Sequence, residues 1–245
     1  MNKEEIVKKL LLVLFILASS SLFAQEVSAN ATRPSAADNG FLTSYGYTEL
    51  ELGWAAQENF WSVPAMLKFT ALPNFELGFL MSGIVNHSEF AGTSETEVGD
   101  FGVQLKSQIY SDPGMSIALL GRSEFLQNEN NRFTLYSAWS FTREMFQLDA
   151  TVGGVFHSRS FAGDQSFIYA VALSPNFDSP MGIYLEIFGE SNEVAKPVYA
   201  DVGVYYAVSP RFILDAAYFA GLNDHAVDWQ FQVGFTTTLF QLLGK

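Results

Sequence analysis

Val227-Asp228-Trp229-Gln230-Phe231-Gln232-Val233-Gly234-Phe235-Thr236-Thr237-Thr238-Leu239 alternates with period two: Val227, Trp229, Phe231, Val233, Phe235 and Leu239 stand on one parity, and Asp228, Gln230, Gln232, Gly234, Thr236 and Thr238 on the other. Successive side chains of a strand point to opposite faces, so this stretch is a strand with one apolar face. The strand before it is looser. Phe212, Leu214, Ala216, Tyr218 and Ala220 oppose Asp215, while Ile213, Ala217 and Phe219 share its side. One strand further back, Val198, Ala200, Val202, Val204, Tyr206 and Val208 oppose Tyr199, Asp201, Gly203 and Tyr205. A soluble sandwich also has one apolar face per sheet, so alternation fixes the sheet but leaves its solvent open.

The N-terminus bears on the solvent. Lys3, Lys8 and Lys9 precede an apolar run from Leu10 to Ala18 and then a serine-rich, small-residue stretch. This is the pattern of a cleavable secretory signal over residues 1–24, with cleavage expected after Ala24 or, at a second small-x-small match, after Ala31. The run is shorter than the ~20 residues of a spanning helix. Beyond it no helix-length apolar stretch occurs, yet 49% of the chain is hydrophobic and 15% aromatic, with 23 Phe and 10 Tyr. A membrane-facing barrel wall with aromatic girdles absorbs such a composition. Zero cysteines remove disulfides and thiolate metal sites. A formal charge of −13 argues against nucleic acid as a partner.

Residues 25–42, rich in Ser, Ala and Asn and without periodicity, are expected to be a flexible periplasmic lead-in, and residues 43–245 the barrel. From Tyr45 the alternation is nearly continuous, with the charges of each strand kept to one parity. Leu50, Leu52 and Trp54 oppose Glu49 and Glu51; Leu67 and Phe69 oppose Lys68; Phe75, Leu77 and Phe79 oppose Glu76. Phe101, Val103 and Leu105 oppose Asp100, Gln104 and Lys106, and further strands carry Arg122 with Glu124, Asp149, and Glu186. The total is about twelve strands, most near the ~9–11 residues of a tilted spanning strand. Pro64 lacks a ladder donor and marks a bulge or a strand end.

Connections alternate between tight and long, as an up-and-down antiparallel barrel requires. Leu72-Pro73-Asn74, Ser111-Asp112-Pro113-Gly114, Thr142-Arg143-Glu144 and Ser209-Pro210 are tight turns, placed in the periplasm. Residues 86–97, 127–131, 158–165, 191–197 and 223–226 form the longer set, placed outside the cell. The connection 174–180 is longer than this rule predicts. The fold class is therefore all-β, a transmembrane barrel in the bacterial outer membrane, its partners being outer-membrane lipid and a small-molecule solute.

The closing segment also resembles a known family. Asp201-Val202-Gly203-Val204-Tyr205-Tyr206, Ser209-Pro210, Leu214-Asp215, Gly221-Leu222-Asn223, Asp228 and Gly234-Phe235 resemble the last three strands of the outer-membrane transporter family named for the MetA pathway of phenol degradation. Val98-Gly99-Asp100-Phe101-Gly102-Val103-Gln104-Leu105-Lys106 resembles its Gly-Asp strand ending in Lys. The resemblance implies a barrel with a transport role.

With the apolar parity against lipid, the other parity lines the lumen. The candidate permeation path is Glu49, Glu51, Lys68, Glu76, Asp100, Gln104, Lys106, Arg122, Glu124, Asp149, Glu186, Asp201, Asp215, Asp228, Gln230 and Gln232. Rings of such groups select ions or orient solutes. The alternative is a plugged barrel, in which Lys106, Arg122 and carboxylates of nearby strands tie the interior together without transport. Barrels of ~8 strands are filled by side chains and those of ~16 hold an aqueous channel, so about twelve fits a narrow passage for small, aromatic or hydrophobic, solutes. Tyr47, Tyr136, Tyr184, Tyr199 and Tyr205 share the lumen parity. An enzyme is the remaining class, but His87, His157 and His225 fall on well-separated connections and no Gly-x-Ser-x-Gly elbow occurs, so no catalytic residue, metal or cofactor is expected.

Overall fold

The computed structural model describes residues 27–126, 131–158 and 165–243. The expected signal and parts of two long connections, 127–130 and 159–164, lie outside the described residues. Twelve antiparallel strands form one closed sheet. They are β1 (Tyr47–Gln57), β2 (Phe60–Ser62 and Ala65–Leu72), β3 (Phe75–Met81 and Asn86–Phe90), β4 (Thr93–Glu97 and Phe101–Asp112), β5 (Met115–Phe125) and β6 (Arg132–Thr142). β7 (Phe146–His157), β8 (Gln165–Pro175), β9 (Met181–Ser191), β10 (Val198–Ser209), β11 (Phe212–Gly221) and β12 (Trp229–Gln241) complete it. Each strand pairs with its sequence neighbour, and β12 returns to β1 with Leu52 opposite Phe235 and Gly53 opposite Gly234. Closure leaves the barrel wall without a free edge.

Exposure is inverted relative to a soluble protein, which decides the solvent. Along β9, Ile183, Leu185 and Ile187 are exposed while Tyr184 and Glu186 are buried; Leu185 is 61% exposed and Glu186 3%. Along β4, Phe101, Val103 and Leu105 are exposed while Gly102, Gln104 and Lys106 are buried. Water would not stabilise an outward apolar belt around an inward charged core, whereas hydrocarbon does. Exposed aromatics bracket the belt. Tyr110, Phe146, Tyr206 and Phe240 lie toward the tight turns, and Trp54, Phe101, Phe133, Phe156, Phe167 and Trp229 toward the long connections.

Local departures have local causes. β2 breaks at Val63-Pro64, as the missing proline N–H requires, and Val63 N and O bond instead to Val85 O and Ile84 N. Residues 86–97, expected to be a loop, continue β3 and β4 as a hairpin beyond the wall, turned at Ala91-Gly92, both at positive φ. The mixed parity of β11 is also explained. Ala217 and Phe219 face inward with Ala37, Ala170, Ala172 and Tyr184, so the lumen itself contains an apolar cluster.

The largest departure is the lead-in. Residues 25–42 were expected to be flexible and periplasmic, but from Val27 onward they enter the lumen from the tight-turn end and fold back on themselves. Ala29 N donates to Pro210 O in the β10–β11 turn, and Asn30 Nδ2 donates to Phe41 O on the returning limb. Small side chains let this loop, hereafter the plug, fit between the inward faces of opposite strands.

Candidate functional site

The plug is held largely by its main chain. Asn30 N donates to Glu49 Oε2 at 2.7 Å, Thr32 N to Glu51 Oε1 at 2.8 Å, and Thr43 N to Glu76 Oε2 at 2.7 Å. Ala36 N and Ala37 N grip both oxygens of Glu186 at 2.8 and 2.5 Å, and Ser35 Oγ adds a bond at 3.0 Å. Hydrogen bonds to an ionised acceptor are about twice as strong as neutral ones, so four wall glutamates give the loop strong anchors that need no particular plug side chain. Gly40 approaches the wall closely. Its N donates to Ser140 Oγ, its O accepts from Ser116 Oγ, and a Cβ there would sit 2.4 Å from Ser116 O.

Two buried cations complete the frame. Lys68 reaches Glu49 at 2.5 Å, Glu51 at 2.8 Å and Asn30 O at 2.6 Å. Lys106 pairs with Asp38 of the plug at 2.9 Å, and Tyr136 donates to the other Asp38 oxygen at 3.0 Å. Arg122 donates to Gln104 Oε1 at 2.7 Å. The alternative of a plugged barrel had Lys106 and Arg122 tied to carboxylates of nearby strands; in the structure the carboxylate partner of Lys106 comes from the N-terminal loop.

Burial by itself would raise the pKa of Asp38, but the Lys106 ammonium, the Arg122 guanidinium and the Tyr136 hydroxyl outweigh it, and the carboxyl lies below its ordinary value. A depressed folded-state pKa stabilises the seated plug above the unfolded value, about 3.9, and that stabilisation is lost as pH falls through the lowered folded value. The Asp38 contribution to plug seating should therefore be present at neutral pH and be lost as pH falls into the acid range below about 4. Protease cleavage within residues 29–43 against pH checks this, and Lys106→Met should move the onset upward.

The sequence-derived path residues are placed as follows. Glu49, Glu51, Lys68, Glu76, Gln104, Lys106, Asp149, Glu186, Asp201 and Asp215 are buried on the inward face. Arg122, Glu124, Gln230 and Gln232 line a cavity. Two do not join them. Asp100 lies in the break between the two pieces of β4, bonded through its main chain to Ser82, and Asp228 is exposed before β12 begins. Parity placed them inside, but the strand has ended by those positions. Reading the sequence missed the plug residues Asn30, Thr32, Arg33, Ser35 and Asp38. The available signal was the excess of lumen-parity carboxylates over lysine and arginine, which demands other donors.

Cavities lie on both sides of the plug. On the long-connection side lies a cavity of about 420 Å³, lined in part by Arg122, Tyr136, Ile168, Phe188, Phe219 and Gln232. On the tight-turn side lies one of about 290 Å³, lined in part by Asn39, Gln147, Asp149, Tyr184 and Tyr205. Thr32, Arg33 and Ser35 line both, so this stretch is the partition.

No protein-family model matches the sequence, and no curated protein matches it. Solved structures do match the fold. The chain is similar to the COG4313 outer membrane channel from Pseudomonas putida F1, with a TM-score of 0.64 and 10% identity over 86% of this chain and 99% of that one. It is similar to the NanC porin, with a TM-score of 0.62 and 8% identity over 78% and 100% of the two chains. A third is the KdgM porin, with a TM-score of 0.60 and 10% identity over 78% and 99%. The fold is that of outer-membrane porin-like barrels.

Proposed function

We propose that the protein is an outer-membrane channel through which small solutes pass passively, and that the N-terminal plug sets whether the path is open. One observation carries the reading: Thr32, Arg33 and Ser35 line both of two cavities that lie in opposite halves of the lumen, so a shift of this short stretch would bring the two together. The fold shared with channels and porins supports it, as does the attachment of the plug by hydrogen bonds from its main chain to wall carboxylates, with no covalent link other than the chain itself. Cleavage of the signal after Ala24 agrees with it better than cleavage after Ala31, which would remove the anchors at Asn30.

Small amphipathic solutes with an aromatic or otherwise apolar body are the proposed class, because Ile168, Phe188 and Phe219 form an apolar wall beside Gln230 and Gln232. Reconstituted protein should give small, fluctuating conductance in planar bilayers and should pass small aromatic amphiphiles into liposomes faster than sugars of similar size. Absence of conductance and of flux, in both the full chain and a chain lacking residues 29–43, would overturn the channel in favour of a structural barrel.

A further inference from the structure

Gly53 and Gly234 face each other across the β12–β1 closure, and Asp215 of β11 pairs with Gly234 from its other side. Two adjacent positions without side chains leave a recess in the inward wall. The plug's Arg33 fills it. Its Nη2 and Cζ lie 2.1 and 2.3 Å from where a Gly53 Cβ would stand, and its Nη2 and Nε lie 2.7 and 2.9 Å from the corresponding Gly234 position. Nη2 donates to Val233 O at 3.3 Å and to Asp215 Oδ1 at 3.5 Å.

The tethered guanidinium fits the recess but does not satisfy it. The Asp215 side chain is fully buried, and its Oδ2 has no hydrogen-bond partner; Arg33 Nε is also buried without one. A planar cation with two parallel N–H groups is the chemistry that engages both oxygens of a carboxylate. Arg33, fixed to a backbone anchored at Thr32 and Ala36, presents one such group at long range instead.

We propose that the Gly53–Gly234 recess with Asp215 is a recognition site for the amidinium or guanidinium head of a solute, and that Arg33 occupies it as an internal stand-in. The inference rests on the channel reading only for its consequence, that binding moves the Arg33 side chain off the wall and so widens the gap between the two cavities. The row continues outward in the right order for a bound solute. Ala217 pairs with Gln232 and Phe219 with Gln230, giving an apolar and amide-bearing wall one and two steps above Asp215 and Gly234.

A tethered competitor acts at an effective concentration on the order of millimolar, so the free ligand binds the wild type weakly and the Arg33→Ala variant well. Benzamidine, with neutral benzamide as its isostere, is the probe, titrated by calorimetry into detergent-solubilised protein; Arg33→Gln substitutes should the alanine variant fail to insert. Benzamidine should bind Arg33→Ala at least several-fold more tightly than wild type, and benzamide should not bind. Adding Asp215→Asn should weaken binding by about tenfold or more, the value of a charge-assisted pair. Adding Gly53→Ala instead should do likewise by filling the recess with all charges kept. Equal binding of benzamidine and benzamide, or benzamidine binding unchanged by both second substitutions, would overturn the site. Binding is read without conduction, so a chain that binds benzamidine but passes no current keeps the site and loses the channel, and a conducting chain indifferent to benzamidine does the reverse.

Gly53→Ala alone is also informative. The three atoms nearest the new Cβ all belong to the guanidinium end of Arg33, a side-chain end that can swing aside, so the barrel should fold at nearly wild-type stability while Arg33 is pushed off the wall. More frequent openings in bilayer recordings, with unchanged thermal unfolding, are the expected result.

Discussion

A chain lacking residues 29–43 is expected to insert as a folded barrel and conduct several-fold more current than the full chain, with cation preference. The wall hydrogen bonds that close the barrel do not involve these residues, and β1 begins only at Tyr47. Without the plug, the 420 and 290 Å³ cavities become one continuous passage. Glu49, Glu51, Glu76 and Glu186 exchange main-chain donors for water, and their charge attracts cations into the path. Gly40→Val tests the same point with a single change. Its side chain would collide with the Ser116 main chain, which cannot swing aside as a side-chain end can, so the returning limb should fail to seat. Unchanged conductance in both variants would mean that the plug is not the barrier.

Replacing Lys68 by Met is expected to be the most damaging single change in the lumen, at about 3–5 kcal/mol of stability, the cost of breaking a buried ion pair from one side. Lys68 is fully buried, and its ammonium serves Glu49, Glu51 and the Asn30 carbonyl at once. Met preserves the stem packing and removes the charge, stranding two carboxylates that lie side by side on the same face of β1. Urea titration followed by heat-modifiable gel mobility reads the loss. Adding Glu49→Gln and Glu51→Gln should restore much of it, because no uncompensated charge then remains. Lys106→Met should behave differently. Its partner Asp38 belongs to the plug, so the variant should open more readily with little change in barrel unfolding. Equal loss in the two methionine variants would mean that the plug and the barrel unfold as one unit.

The wall was legible because its signal is local. Ile183, Leu185 and Ile187 against Tyr184 and Glu186 declare the two faces within five residues, and Pro64 declares the break in β2 by its missing donor. Mixed parity in β11 was legible as an anomaly, but its cause, an inward Phe219 packed on Phe188, depends on a neighbour 31 residues away. Asp100 and Asp228 stand outside the strands because parity gives the side of a strand and says nothing of where the strand stops.

The sequence by itself determined a closed, two-faced antiparallel sheet with its charges turned inward, since a period of two is written residue by residue along each strand. Only the tertiary structure decided what those charges hold. Glu49, Glu186 and Asp215 lie on separate strands and converge on one loop only after β12 has paired with β1. That loop is bound chiefly through main-chain N–H groups, which every residue but proline carries, so its small, polar sequence reads as a linker until a barrel closes around it.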